Sequence, residues 1–550
     1  MKRKVSGHIV DVFKRRIFKG IIEIRDGKIL NIYESDNVDD VFILPGLIDS
    51  HVHIESSMLI PTEFSKLIVP RGTIAVVSDP HEIANVHGVK GVEFMMNNAA
   101  KSPLKMFFGA PSCVPATEFE TNGAIIDHKD IEYLLNKGCV VLSEMMNFPG
   151  VISGDEEVLK KINVARKLNK KIDGHALGLS NNNLKKYVDA GISTDHECST
   201  LEEALEKIDL GMNVLIREGS AAKNFEALSS LIETHTGKVM LCTDDSHPDE
   251  LLKIGHIDKL IKRGLKKGYS IFDLITVASV NPVDHYDLPV GLLREGDPAD
   301  FICVDDLQNF NVVCTFIDGL PVYEKGKNLI LSVDEIPLNH FNATKISEND
   351  IKIISKGDDT TINVIDAFDG DLFTKRFFWK HGIRKGEEIK QDKSSDILKI
   401  VVVNRYKKAK PQVGFIRNFG LKHGAIGGTI AHDSHNIILI GADDESIVKV
   451  CNRLIEIKGG IALTYPELNT IYELPLPFSG LMSNENGIKV AEKYDELNQK
   501  AKELGCSFHA PFMTLAFMSL LVIPEIKLGD KGLFDVTSFN FIPIFENGKE

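Results

Sequence analysis

Residues 42–53 read FILPGLIDSHVH, a β-branched and aliphatic run that ends on two histidines spaced as H-x-H. Seven further runs of the same kind follow, at 73–79, 104–110, 139–144, 171–175, 192–196, 213–217 and 238–244, each with a polar end and then a helical stretch of roughly 10–20 residues. Strand and helix in strict alternation mean parallel βα units. Eight of them in about 200 residues predict a closed (β/α)8 barrel of the TIM type, in which the side chains at the C-terminal strand ends converge on one mouth. The alternative is a doubly wound open sheet. No glycine-rich dinucleotide or phosphate loop follows the first strand, which counts against it.

Outward from the barrel (residues 45–285), the chain reads as two further parts. Residues 1–44 have the look of short strands and turns, with Arg25-Asp26-Gly27-Lys28 as a hairpin turn, and residues 286–338 return to strand composition at 291–306 and 311–323. The two segments are expected to pair as a small composite β domain. A polar connector at 339–350 leads to a C-terminal α/β domain, 351–550. It has strands at 397–403 and 436–441, helices at 444–456 and 488–504, and a charged, exposed loop at 380–396.

Composition narrows the function classes. With 64 Lys+Arg against 78 Asp+Glu the 550-residue chain has a formal charge of −14, so it lacks the basic footprint of a nucleic-acid binder. The basic start, Met1 to Lys4, is followed by Asp11, Lys14, Arg15 and Arg16 where a signal peptide would be apolar. The longest apolar stretch, 512–523, falls short of the roughly 20 residues that span a bilayer. Eight scattered cysteines with no C-x-x-C fit reduced thiols, and a cytoplasmic location is expected.

The strand ends carry the chemistry. His51 and His53 share one face of the first strand, because strand side chains alternate. Glu144 ends the fourth strand, His175 the fifth, His196 the sixth, and Asp244 and Asp245 the eighth. Four imidazoles with at least two carboxylates suit divalent Mn, Fe or Zn; an all-oxygen Mg or Ca site would not use so many histidines. Six ligands exceed what one open tetrahedral ion takes, so two ions bridged by Glu144 are expected. Either Asp244 or Asp245 could be the strand-eight ligand, and alternation favours Asp244.

The motifs add a family. LPGLIDSHVHIESSML (44–59) resembles the first-strand signature of the amidohydrolase superfamily. Within it, SDPHEIANVHG (78–88), EMMNFPGVI (144–152), DGHALGL (173–179), TDHE (194–197), CTDDSHPDEL (242–251), FGLKHGAIGGTIAHDSHNI (419–437) and LPLPFSGLMS (474–483) resemble the bacterial and archaeal adenine deaminases. The resemblance spans nearly the whole chain. It implies hydrolysis of the exocyclic amine of adenine, with Glu144 bridging the metals where many relatives use a strand-four lysine. The expected partner is a small purine base, bound by a homo-oligomer without nucleic acid or membrane.

In that chemistry a divalent metal supplies hydroxide at neutral pH and a carboxylate carries its proton. Asp244 is the expected ligand and proton acceptor. Glu55, two residues beyond His53, is the expected shuttle to the purine ring, or else a solvated carboxylate at a helix start. His81 and Glu82 are expected near substrate, or form a plain helix entry. Arg217 sits at the seventh strand end, as a substrate contact or in a surface ion pair with Glu218. His432 and His435, in AHDSHN, could form a third metal site, a lid over the mouth or a hydrogen-bonded loop; a supporting role at substrate is expected. Another aminopurine as substrate, and a metal-free binding scaffold, are the competing readings.

Overall fold

The computed structural model describes residues 2–358, 361–380, 382 and 384–546. The barrel strands are Leu47–His53, Thr73–Ser78, Lys105–Ala110, Val141–Met145, Lys171–Gly174, Thr194–Asp195, Asn213–Arg217 and Val239–Cys242. The first five pair in parallel in chain order, as do the last three. Ser193 N donates to Ile172 O (2.9 Å) across the junction between the fifth and sixth strands. Past Thr243 the eighth strand resumes as Asp244–Asp245, which pairs with Val52 and His53 of the first strand and closes the ring. Every residue of the first two strands is buried, as expected of parallel strands covered on both faces.

Residues 42–53 are two strands, where the sequence suggested one. Phe42–Pro45 belongs to a different sheet from Leu47–His53. Pro45 offers no N–H to extend the ladder. At Gly46 a Cβ would lie 2.4 Å from Ile74 Cγ1, so the chain can turn from one sheet into the other only with glycine there.

Phe42–Pro45 sits centrally in an eight-stranded sheet, between Lys2–Asp11 and Phe301–Val304. Segments from both sides of the barrel thus share one sheet. Asp26 and Gly27 both take positive φ (51° and 82°), as a type I′ hairpin requires. Within 291–306 only Phe301–Val304 is strand, and 311–323 divides into Val312–Ile317 and Leu320–Glu324.

The C-terminal region is a mixed eight-stranded sheet. Its strand Ile397–Val403 alternates between two cores: Ile397, Val401 and Val403 face the helix Asp444–Glu456, while Leu398, Ile400 and Val402 join the core that includes the barrel. A long helix, Gly487–Glu503, packs on the barrel helix Pro248–Lys253. Ser483 N donates to Met58 O (2.8 Å) and Ile60 N to Ser483 O (3.0 Å), which ties this region to the loop after the first barrel strand. The segment 380–396 is not wholly an exposed loop, because Glu388–Ile389 pairs with Ile353–Ile354 and Ile389 is buried. Residues 381 and 383 of that segment, and 547–550 of the expected C-terminal domain, lie outside the described residues. No helix among the described residues is long and apolar enough to cross a membrane.

Candidate metal centre

All six expected ligands meet at the C-terminal mouth of the barrel. His53 Nε2 lies 3.0 Å from Asp244 Oδ1 and 3.3 Å from Glu144 Oε1, and His51 Nε2 is 3.5 Å from Asp244 Oδ1. The other oxygen of Glu144, Oε2, is 2.8 Å from His175 Nδ1 and 3.3 Å from His196 Nε2. The two Glu144 oxygens therefore face two different groups of imidazoles. These hydrogen bonds hold the Glu144 carboxyl well below the usual carboxylate range, against the opposing effect of its burial.

His53 Nδ1 donates to the carbonyl of Asp79 (2.9 Å), which fixes its tautomer and turns Nε2 to the centre. Burial, with His196 adding to it, pulls the His51 pKa down and keeps that imidazole neutral. His51 Nε2 is buried with no hydrogen-bond partner. An orphaned, neutral ring nitrogen among carboxylates and imidazoles is what a divalent ion would satisfy.

The two aspartates of the eighth strand point to different partners. Asp244 takes a left-handed backbone conformation (φ 57°) and faces the histidine pair, whereas Asp245 Oδ1 accepts from Ser56 Oγ at 2.5 Å. Asp245 still lines the cavity above the centre. Arg217 is buried and lies 2.8 Å from Asp244 Oδ2 through Nη1, which also donates to Glu197. It forms no surface pair with Glu218, whose partner is Arg263.

His81 and Glu82 open the helix His81–His87 after the second strand, and both line the same cavity. His432 and His435 arrive from the C-terminal region and meet at Glu82: His432 Nδ1 lies 2.7 Å from Oε1, and His435 Nε2 is against Oε2. Leu372, Phe517, Leu520, Val522 and Ile523 of that region supply an apolar wall. Glu55 is not among the residues lining this cavity. It is buried at the start of the helix His81–His87, where Oε1 accepts from Ile83 N (3.2 Å), and burial, with Glu82 adding, pushes its carboxyl up to about 7. The residue after His53 begins a short 3-10 turn, Ile54–Ser57, so Glu55 does not continue the alternation of the strand.

Comparison with known proteins accords with this geometry. Residues 42–322 match the amidohydrolase family, and residues 371–540 match the adenine deaminase C-terminal domain. The chain is 54% identical to an adenine deaminase of Methanosarcina mazei, covering 99% of each chain. It is 50% identical to that of Sulfurovum sp. and 47% identical to that of Borreliella burgdorferi, each over 98% of this chain and 99% of the relative. The chain belongs to the adenine deaminase family of amidohydrolases.

For an amidohydrolase, the clusters His51–His196–Asp244, Glu144–His175–His196 and His53–Asp79–His81–Glu144 fit a metal centre: within each cluster the ligand atoms lie within 4.8 Å of one another. Two acidic cavity residues, Glu197 and Asp433, are not among those the sequence singled out. Glu197 follows His196 directly, lies 3.4 Å from its Nε2 and is held ionised by Arg217 against its burial. The sequence does carry a signal for it: Arg217, at the mouth end of the next strand, needs an anionic partner once buried.

Proposed function

We propose that the chain hydrolyses adenine at C6 to hypoxanthine and ammonia, using two divalent ions, Mn or Fe in preference to Zn, held by His51, His53, Glu144, His175, His196 and Asp244. The observation that carries this is Glu144, whose two oxygens face separate imidazole groups in a chain similar to adenine deaminases from end to end. When bound, such ions lower the pKa of water to about 7 and so supply hydroxide at neutral pH.

The protein's own groups do the rest. Asp244 takes up one proton of the attacking water and passes it to the purine ring, then takes the second from the oxygen newly bonded to C6 and passes it to the amine, which leaves as ammonia. Arg217 keeps Asp244 ionised and, with Asp245, borders the bound base. The apolar wall from the C-terminal region accepts the ring and excludes water. His81, Glu82, His432 and His435 close the side of the cavity where barrel and C-terminal region meet. Glu55 acts indirectly, by fixing the Ile83 N–H and hence the helix that carries His81 and Glu82.

The remaining assignments are a division into 1–44 plus 286–338, 45–285 and 351–550, a cytoplasmic location and a homo-oligomeric enzyme; the absence of any disulfide among the eight cysteines supports the second. The metal-free scaffold is disfavoured, since it would leave His51 Nε2 buried without a partner.

The test is a screen of aminopurines against Mn-, Fe- and Zn-loaded protein, following base absorbance and ammonia. Adenine should yield hypoxanthine and ammonia in equal amounts, and chelation should abolish both. Turnover of another aminopurine with none of adenine would overturn the assignment.

A further inference from the structure

Glu82 is ringed by imidazoles much as Glu144 is. Around Glu144, nitrogens of His53, His81, His175 and His196 stand 2.8–3.3 Å from its oxygens. Around Glu82, His81 Nε2 stands 3.3 Å and His432 Nδ1 2.7 Å from Oε1, with His435 Nε2 against Oε2. Asp433 completes the second group: one oxygen or nitrogen each of His81, Glu82 and Asp433 lie within 4.8 Å of one another. Donor atoms about 2.0–2.2 Å from one ion are at most about 4.4 Å apart, so small side-chain adjustments would bring these three onto a common centre, with His432 Nδ1 next to them at Glu82 Oε1.

Hydrogen bonding alone does not account for the group. Asp433 is buried, 4% exposed, and its Oδ2 has no hydrogen-bond partner. Leaving a carboxylate oxygen buried and unpaired costs free energy that a bound cation would offset. His81 is also prepared as a ligand. Its Nδ1 faces two carboxylates, Asp79 Oδ2 at 3.2 Å and Glu144 Oε1 at 3.3 Å, the carboxylate–histidine arrangement that leaves Nε2 as the lone pair, and that nitrogen faces Glu82. His435 has a different part: its Nδ1 accepts from Ala431 N, so Nε2 carries the proton and orients Glu82 Oε2.

We propose that His81 Nε2, Glu82, Asp433 and His432 Nδ1 form a third divalent-metal site, beside the two ions of the reading above and distinct from them. Two nitrogen and two carboxylate ligands suit Mn, Fe or Zn. Two of the ligands belong to the barrel helix His81–His87 and two to the loop before the strand Ile437–Gly441, so the ion would join the C-terminal cover to the barrel mouth. The site goes beyond the catalytic pair and does not share its six ligands.

The experiment is metal analysis of full-length protein, made apo, reloaded with Mn and freed of unbound metal, in parallel with an adenine assay. Wild type should hold about three Mn per chain, and Asp433→Asn and His432→Ala about two. A wild-type content of two, or of three in both variants, overturns the third site. Adenine turnover at a content of two would leave the catalytic reading standing while removing this one. Should both variants fail to fold, anomalous scattering from crystals of Mn-loaded wild type decides: a peak between Glu82 and Asp433 is expected, and its absence refutes the site.

Discussion

Arg217 Nη1 lies 2.8 Å from Asp244 Oδ2 and donates to Glu197 as well, so one buried nitrogen links the ends of the sixth, seventh and eighth barrel strands. Arg217→Met would leave two carboxylates buried at the centre without their cation, and removing one partner of such a pair costs about 3–5 kcal/mol. We expect kcat/KM for adenine to fall by about 10² or more and the melting temperature to drop by several degrees. Retention of wild-type kcat/KM would show that Asp244 needs no counter-charge.

Glu55 offers a sharper discrimination. A Gln at this position keeps an oxygen for Ile83 N–H, and a carboxyl already raised to about 7 gives up little by becoming neutral. Glu55→Gln should therefore keep kcat within about threefold of wild type, whereas Glu55→Ala, which leaves the amide unpaired, should lower it about tenfold or more. A Gln variant slowed by about 10² would restore Glu55 as a direct proton carrier.

For Glu144 the expectation is loss of metal as well as rate. Glu144→Gln presents one oxygen where two face separate imidazole groups. Metal content should fall by at least one ion per chain and ammonia release by about 10² or more. Full metal content in this variant would show that the carboxylate does not bridge.

How much of this was legible in the sequence follows from where each residue sits. His51, His53, Glu144, His175, His196 and Asp244 could be read because parallel βα units gather the strand ends at one mouth, even where, as at His175 and His196, the ligand stands one residue past its strand. Glu197 is signalled only indirectly, through the anionic partner a buried Arg217 requires, and the direction of Glu55 is set by the 3-10 turn that begins at Ile54. The break at Pro45-Gly46 was hidden by continuous apolarity on both sides, and only the close approach of Ile74 to Gly46 shows why it falls there. The meeting of Glu82 with His432 and His435 spans about 350 residues of chain, a distance over which no local period carries information.

A pH effect on stability follows from Lys527, far in sequence from the ligands. Its Nζ is buried and donates to the carbonyls of Leu372 and Phe517, the residues whose side chains line the cavity. Burial pulls its pKa down to about 7, with Asp371 opposing. The unfolded chain, with an ordinary lysine near 10.5, binds more protons between those values, so stability should rise with pH from about 7 to 10 and be lost as pH falls toward 7. Lys527→Met should flatten that rise in melts recorded across the range. An unchanged slope would mean the ammonium stays charged in the fold.

The sheet shared by both flanks of the barrel has a consequence for synthesis. Phe42–Pro45 pairs with Lys2–Asp11 on one edge and with Phe301–Val304 on the other, and residues 46–300 separate the two partners. At a translation rate of about 5–20 residues per second, the second edge of Phe42–Pro45 waits roughly 13–50 s for its neighbour. During that interval an apolar strand edge is open on the nascent chain, and it can be covered only when the barrel between the two segments has emerged from the ribosome.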